Sequence, residues 1–409
     1  MKRARLITLL LVFCSLSAPA QIKWWGIFDF EFQKGGKESR SDLNGLVNDR
    51  PQFTTRQVQL FADADITKDI SLSAMIVNSP SRPFELKGIE FQLANVTFHD
   101  LAGEALSISA GKIFTPFGRF TKRQLAPDNP LIGKPLFYTF PLNISPFTGY
   151  LDSAGALIAQ NTFGSRMNSM YNGGYYVGLE AFGSFVQGTL EYDVALMNAP
   201  LAPIVVDYNV DNDIAFHGRV AVHPAIWGTL GFSFATGSYM QSSPQNLPFE
   251  NKIGSVSQFK QSTFGADLQL SYLYYELNAE YIANHFGAPY ILALGADAGN
   301  NGLAGATSMD LNSNEFFVDL KIDAPFYPGL FLAVRYDKLI SSDIQDPYRL
   351  SPTFGASKPW NPDVGRYAVG IGYKPEHAVL LKVGYETTDI SVNPRPNLDV
   401  FACALVITF

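Results

Sequence analysis

Cysteine is nearly absent: there are two in 409 residues, Cys14 and Cys403. Only Cys403 lies beyond the first twenty residues, which excludes an intramolecular disulfide framework and any cysteine-based metal site there. Long apolar runs are absent as well. After residue 20 no segment offers the roughly 18 consecutive apolar residues that a membrane-crossing helix needs. Positive charge is in deficit, with 30 Lys and Arg against 37 Asp and Glu, a net charge of -7. Setting aside Lys2, Arg3 and Arg5 takes this to -10, because residues 1–20 carry no acid. That acidity argues against nucleic acid as a partner. Hydrolase signatures are missing too: neither Gly-x-Ser-x-Gly nor His-Glu-x-x-His occurs, and the five His (His99, His217, His223, His285, His377) are scattered. The expectation is a protein that is not an enzyme and carries no metal and no cofactor.

What is present begins with a leader. Lys2, Arg3 and Arg5 precede an apolar stretch, Leu6 to Leu16, and Ala18-Pro19-Ala20 gives a small-x-small cleavage pattern. Residues 1–20 are therefore expected to be a signal peptide cleaved after Ala20, and 21–409 to be one exported domain. That domain is rich in aromatics, within a chain of 32 Phe and 19 Tyr that is 47% hydrophobic.

Those apolar residues follow a period of two. Phe316, Val318, Leu320 and Ile322 share one face, opposite Glu315, Asp319, Lys321 and Asp323. Similar alternation runs through Leu330 to Asp337, Val379 to Glu386 and Val186 to Leu196, the signature of strands with two unlike faces. Long and short connections take turns between them. Long ones fall near 33–54, 79–88, 114–150, 198–213, 236–262, 285–312, 338–363 and 389–398. Short ones fall near 67–69, 101–104, 183, 223–225, 273–274, 324–328 and 374–376. This rhythm of outer loops and tight periplasmic turns predicts an all-β fold, a transmembrane antiparallel up-and-down β-barrel of about sixteen strands. Residues 151–182 hold two strand-like runs, Ser153 to Gln160 and Tyr175 to Phe182, where the count needs one, so eighteen strands stay an alternative. The parity also switches around Asn95, which a bulge would explain.

The final segment places Phe401, Cys403, Leu405, Ile407 and Phe409 on one face, ending on the aromatic Phe409. A terminal aromatic after alternating apolar residues resembles the sorting signal read by barrel-insertion machinery. Trp24, Trp25, Tyr272, Tyr274, Tyr275, Phe326, Tyr327 and Tyr373 cluster at strand ends, as girdles at a water–lipid boundary do. The localisation expected is the bacterial outer membrane, with outer-membrane lipid around the barrel.

A sixteen-stranded barrel encloses a lumen wide enough for water, so passage of small hydrophilic solutes or ions is the expected function. Inward parity gives the wall His217, Arg219, Lys321, Arg335, Arg366, Lys374 and Lys382 against fourteen carboxylates. The segment after Ile113 is rich in Pro and aromatics, suiting a loop held against a wall. It carries Arg119, Lys122, Arg123 and Lys134 against Asp128. Gly111-Lys112-Ile113-Phe114-Thr115-Pro116-Phe117-Gly118, this basic stretch and Leu131 to Tyr138 together resemble the phosphate-selective porin O and P family. The resemblance implies sixteen strands, a homotrimer and a third outer loop folded into the pore. It also implies that Arg119, Lys122, Arg123 and Lys134 line the constriction and attract anions. Two other readings remain open: a plugged barrel acting as a surface binding or assembly subunit, and an outer-membrane barrel hydrolase.

Overall fold

The computed structural model describes residues 22–36, 50–78, 90–146, 150–153, 156–159, 166–170, 174–203, 213–241, 255–293, 303–344, 358–391 and 398–409. The expected leader lies outside them. Sixteen strands close into one antiparallel barrel. In chain order they are β1 Ile22–Gly35, β2 Gln52–Thr67, β3 Ile70–Asn78, β4 Glu90–Phe98, β5 Ser107–Phe114 and β6 Tyr175–Phe185. Next come β7 Leu190–Met197, β8 Ala215–Ala225, β9 Gly228–Ser238, β10 Lys260–Tyr272 and β11 Tyr275–Ala293. The last are β12 Leu303–Asp323, β13 Leu330–Ser341, β14 Val364–Glu376, β15 Val379–Ile390 and β16 Val400–Thr408. Each pairs with the next, and β16 pairs with β1 from Thr408↔Ile27 to Val400↔Gly35. Closure is obligatory, because an open edge in hydrocarbon would leave backbone groups unpaired.

Alternation is what makes these segments two-faced, and the structure shows which face points where. Phe232, Phe264, Tyr367, Ile371, Val383 and Phe401 are exposed on the outer wall. On the opposite face of the same strands Ser233, Asp267, Arg366, Lys382 and Ala402 turn inward and are buried. An apolar exposed surface encircling a closed barrel is a lipid-facing band. No helix among the described residues is long and apolar enough to cross a membrane.

The expected count of sixteen strands holds and the eighteen-strand alternative falls, because Tyr150–Ser153 and Ala156–Ala159 form a short hairpin. Its first arm lies parallel to the outer extension of β11, Tyr150 beside Tyr290, so the run belongs to the third loop and not to the wall. The turn expected near Gly183 falls instead at Val186–Thr189, where Val186, Gln187 and Gly188 all adopt positive φ. Gly183 sits inside β6, opposite Tyr192. The bulge expected near Asn95 is at Gln92, skipped between Met75↔Leu93 and Ile76↔Phe91.

Candidate functional site

The lumen contains residues 115–146 of the third outer loop, which fold inward. It leaves β5 at Thr115, whose N–H donates to Gly174 O at 2.9 Å. Gly118 then turns with φ +61°, and a Cβ there would collide with the Glu280 carboxylate. That open space lets Glu280 Oε2 accept the N–H groups of Arg119 and Phe120, both at 3.2 Å, at the start of helix α1, Phe120–Arg123. Ser233 Oγ accepts the Gly118 N–H at 3.0 Å.

The turn from 126 to 134 is held by wall cations acting on backbone carbonyls. Lys382 Nζ donates to Ala126 O, Asn129 O and Leu131 O at 2.8, 3.0 and 3.1 Å. Arg335 Nη1 donates to Gly133 O at 2.9 Å, while its Nε and Nη2 fork onto Asp319 at 2.5 and 2.9 Å. Arg56 Nη1 reaches Glu31 at 2.8 Å and Ile132 O at 3.3 Å. Farther along, Asp337 Oδ1 accepts the Leu136 N–H, heading helix α2, Leu136–Thr139, and Arg366 donates to Thr139 Oγ1 at 3.1 Å. Buried backbone polar groups need partners, and here the wall supplies them.

Apolar contacts complete the packing. Phe117, Phe120, Phe137 and Tyr138 bury against Ile282 and Phe317 on the wall. Toward the outside, Leu136, Leu142, Ile144 and Met167 join Phe286, Leu311, Leu339 and Trp360. Leu131 meets Ile27, Phe61, Met75 and Phe331. The lumen expected to be water-filled thus contains an apolar core built around loop 3. Residues 199–202, which follow β7, also turn inward, with His217 Nε2 and Ala199 O 3.0 Å apart and the Gln261 amide oxygen accepting the Ala202 N–H at 2.9 Å. Beneath loop 3 a polar cavity of about 10 Å³, bordered by Asp29, Glu31, Arg56 and Lys382, has room for about one water.

Charge that remains accessible lies along one edge of α1. Lys122 is exposed, and Arg119 is half-buried with its pKa lowered by burial and then by Arg219. Arg123 sits 3.2 Å from Glu276 and 3.9 Å from Asp319. Glu180, Asp193, Asp267, Glu276 and Asp319 supply the facing wall carboxylates. Arg219 is held by Asp267 through two hydrogen bonds of 3.1 and 2.6 Å, and Lys321 lies 2.9 Å from Asp323.

The anticipated residues therefore divide. Arg119, Lys122 and Arg123 share the accessible edge. Lys134 does not: it is buried and donates to Gln124 Oε1 at 2.9 Å, and burial, reinforced by Arg56, pushes its ammonium down to about 7. His217, Arg335, Arg366 and Lys382 face the lumen but are buried against the inward loops. Phe409 ends β16 with its N–H on Gly26 O and its own carbonyl accepting from Gly26 N, at 3.0 and 2.7 Å. Arg56 escaped the sequence reading because a bulge between Asp29↔Gln57 and Phe30↔Thr55 turns it inward out of register. The signal was a lone Arg within an otherwise uncharged stretch, Gln52 to Ala62.

No family model matches the sequence, and no curated protein does. Solved structures do. OmpT, an outer membrane protein of Vibrio cholerae, superposes with a TM-score of 0.56 at 8% identity, covering 97% of this chain and 99% of that one. An anion-selective porin from Comamonas acidovorans gives 0.57 at 8%, covering 95% and 100%. Salmonella typhi OmpF, in complex with daunomycin, gives 0.54 at 9%, covering 95% and 98%. The fold is that of an outer-membrane porin barrel. At these identities the likeness is one of fold, and it does not extend to the phosphate-selective family that the loop motif resembles.

Proposed function

We propose that the chain is an outer-membrane channel for small hydrophilic solutes or ions, with its narrowest section between the edge of α1 and the acidic wall. One observation carries this reading: Arg119, Lys122 and Arg123 share one edge of α1, with Lys122 exposed, opposite Glu180, Asp193 and Glu276. Opposed charges across a narrow aqueous gap create a transverse field that acts on partly dehydrated solutes. Both signs are present, so the pore discriminates weakly. Preference for anions, phosphate among them, is the finer reading, and it rests on Lys122 standing exposed on that edge. Liposome swelling with sugars tests the channel, and the reversal potential in a KCl gradient tests the preference. A homotrimer, which the family resemblance implies, is tested by cross-linking in native membranes.

The second reading, a closed barrel that binds a surface partner, is favoured by the apolar packing of Leu136, Leu142 and Met167 under the outer loops. Sugars that stay out of proteoliposomes would support it over the channel.

A further inference from the structure

The outer wall carries a groove of about 470 Å³ across β12 to β15. Strand register resolves its surroundings into three rows that climb toward the outer loops. The lowest is Leu320–Val334–Val369–Tyr385. Above it lies Val318–Tyr336–Tyr367–Thr387, and above that Phe316–Lys338–Gly365–Asp389. The lower two rows line the groove. Polarity thus rises with height: aliphatic first, then phenol and hydroxyl, then charge.

Lys338 is the cation of the top row. Its side chain lies across Gly365, with Nζ 3.9 Å from where a Gly365 Cβ would sit, directly above the Tyr336–Tyr367 ring pair. It has no hydrogen bond or ion pair among the described residues. Asp389, two strands from Lys338 in the same row, is the other charge at this level and holds a contact of its own.

We propose that this groove is a docking site for a phosphate-bearing lipid of the outer leaflet, one acyl chain lying over Val334 and Val369 and the phosphate meeting Lys338. Charge complementarity selects that occupant. A lysine at the aliphatic–polar boundary attracts an anionic headgroup, while the groove below offers only apolar surface and ring faces. The inference rests on the outward-facing apolar band and on the outer position of the long loops, not on the pore, so failure of the swelling assay leaves it standing.

Native mass spectrometry of the detergent-purified protein tests it, with phosphatidylglycerol as probe and diacylglycerol of the same chains as control. The expected result is retention of phosphatidylglycerol over diacylglycerol, weakened roughly fivefold by Lys338→Gln, kept by Lys338→Arg and raised by Asp389→Asn. Val369→Trp, which fills the groove, should lower retention of both lipids. Folding of each variant is checked by heat-modifiable gel migration. Equal retention of the two lipids, an unaltered Lys338→Gln, or displacement by inorganic phosphate alone would each overturn the proposal.

Discussion

Glu280 reaches the backbone of Arg119 and Phe120 because Gly118 has no side chain. Replacing Gly118 by Ala puts a methyl group into the carboxylate and forces a positive φ that costs an L-residue roughly 1–2 kcal/mol. Gly118→Ala should release the start of loop 3 while leaving the strands paired. The expected readout is faster protease cleavage between 115 and 125, with unchanged β-sheet circular dichroism.

Lys382 is the latch of the 126–134 turn. Lys382→Met removes the donor to three buried carbonyls, and each group left unsatisfied costs about 1–3 kcal/mol. Single-channel conductance in planar bilayers should rise and its noise increase as the turn loosens. A trace indistinguishable from the parent would show that the turn is held without Lys382, by Arg335, Arg56 and the apolar contacts.

Neutralising the accessible edge should change sign preference. In the triple variant Arg119→Gln, Lys122→Gln, Arg123→Gln, the carboxylates Glu180, Asp193 and Glu276 lose the cations of that edge, while Asp319 keeps Arg335. The reversal potential in a KCl gradient should move toward K+. A shift toward Cl- would show that these three cations do not border the path.

Lys134 gives loop 3 a pH dependence whose sign follows from its depressed pKa. Between about 7 and the ordinary 10.5, the unfolded chain binds a proton that the folded chain does not. Stability therefore rises with pH across that window, and the penalty for burying the ammonium is full below pH 7. Thermal midpoints measured at pH 6 and pH 9.5 should differ more for the parent than for Lys134→Met, whose difference should be the smaller.

The outer wall is tested at Phe232, exposed near the middle of β9. Phe232→Arg should lower folding stability in vesicles by about 2–4 kcal/mol if hydrocarbon faces it, the cost of arginine near the bilayer midplane. A change within about 0.5 kcal/mol, usual for a water-facing position, would contradict a lipid-facing wall.

Much of the barrel was legible because lipid imposes the same demand on every strand. Phe316, Val318 and Leu320, or Phe401, Cys403 and Leu405, must all face outward, and a period of two records it. The turn at Val186–Thr189 was misplaced because Val186 and Gln187, residues with no turn signature, adopt positive φ there. In the lumen, parity identified the inward cations but not their task. Arg335 and Lys382 turn their donors onto carbonyls of a loop more than two hundred residues away, and no local pattern encodes such a partner. Inward Met75, Phe317 and Phe331 likewise read as lapses in a polar face until loop 3 packs on them.

The pairing of β1 with β16 closes the cylinder, with Gly26 against Phe409. Neither β1 nor β16 has its second neighbour until residues 400–409 are delivered, so the cylinder cannot shut before they arrive. Until then the polypeptide carries two sticky margins, each able to pair with a stranger. Assembly of this protein is thus timed by β16, and removal of that strand should trap an open, aggregation-prone sheet.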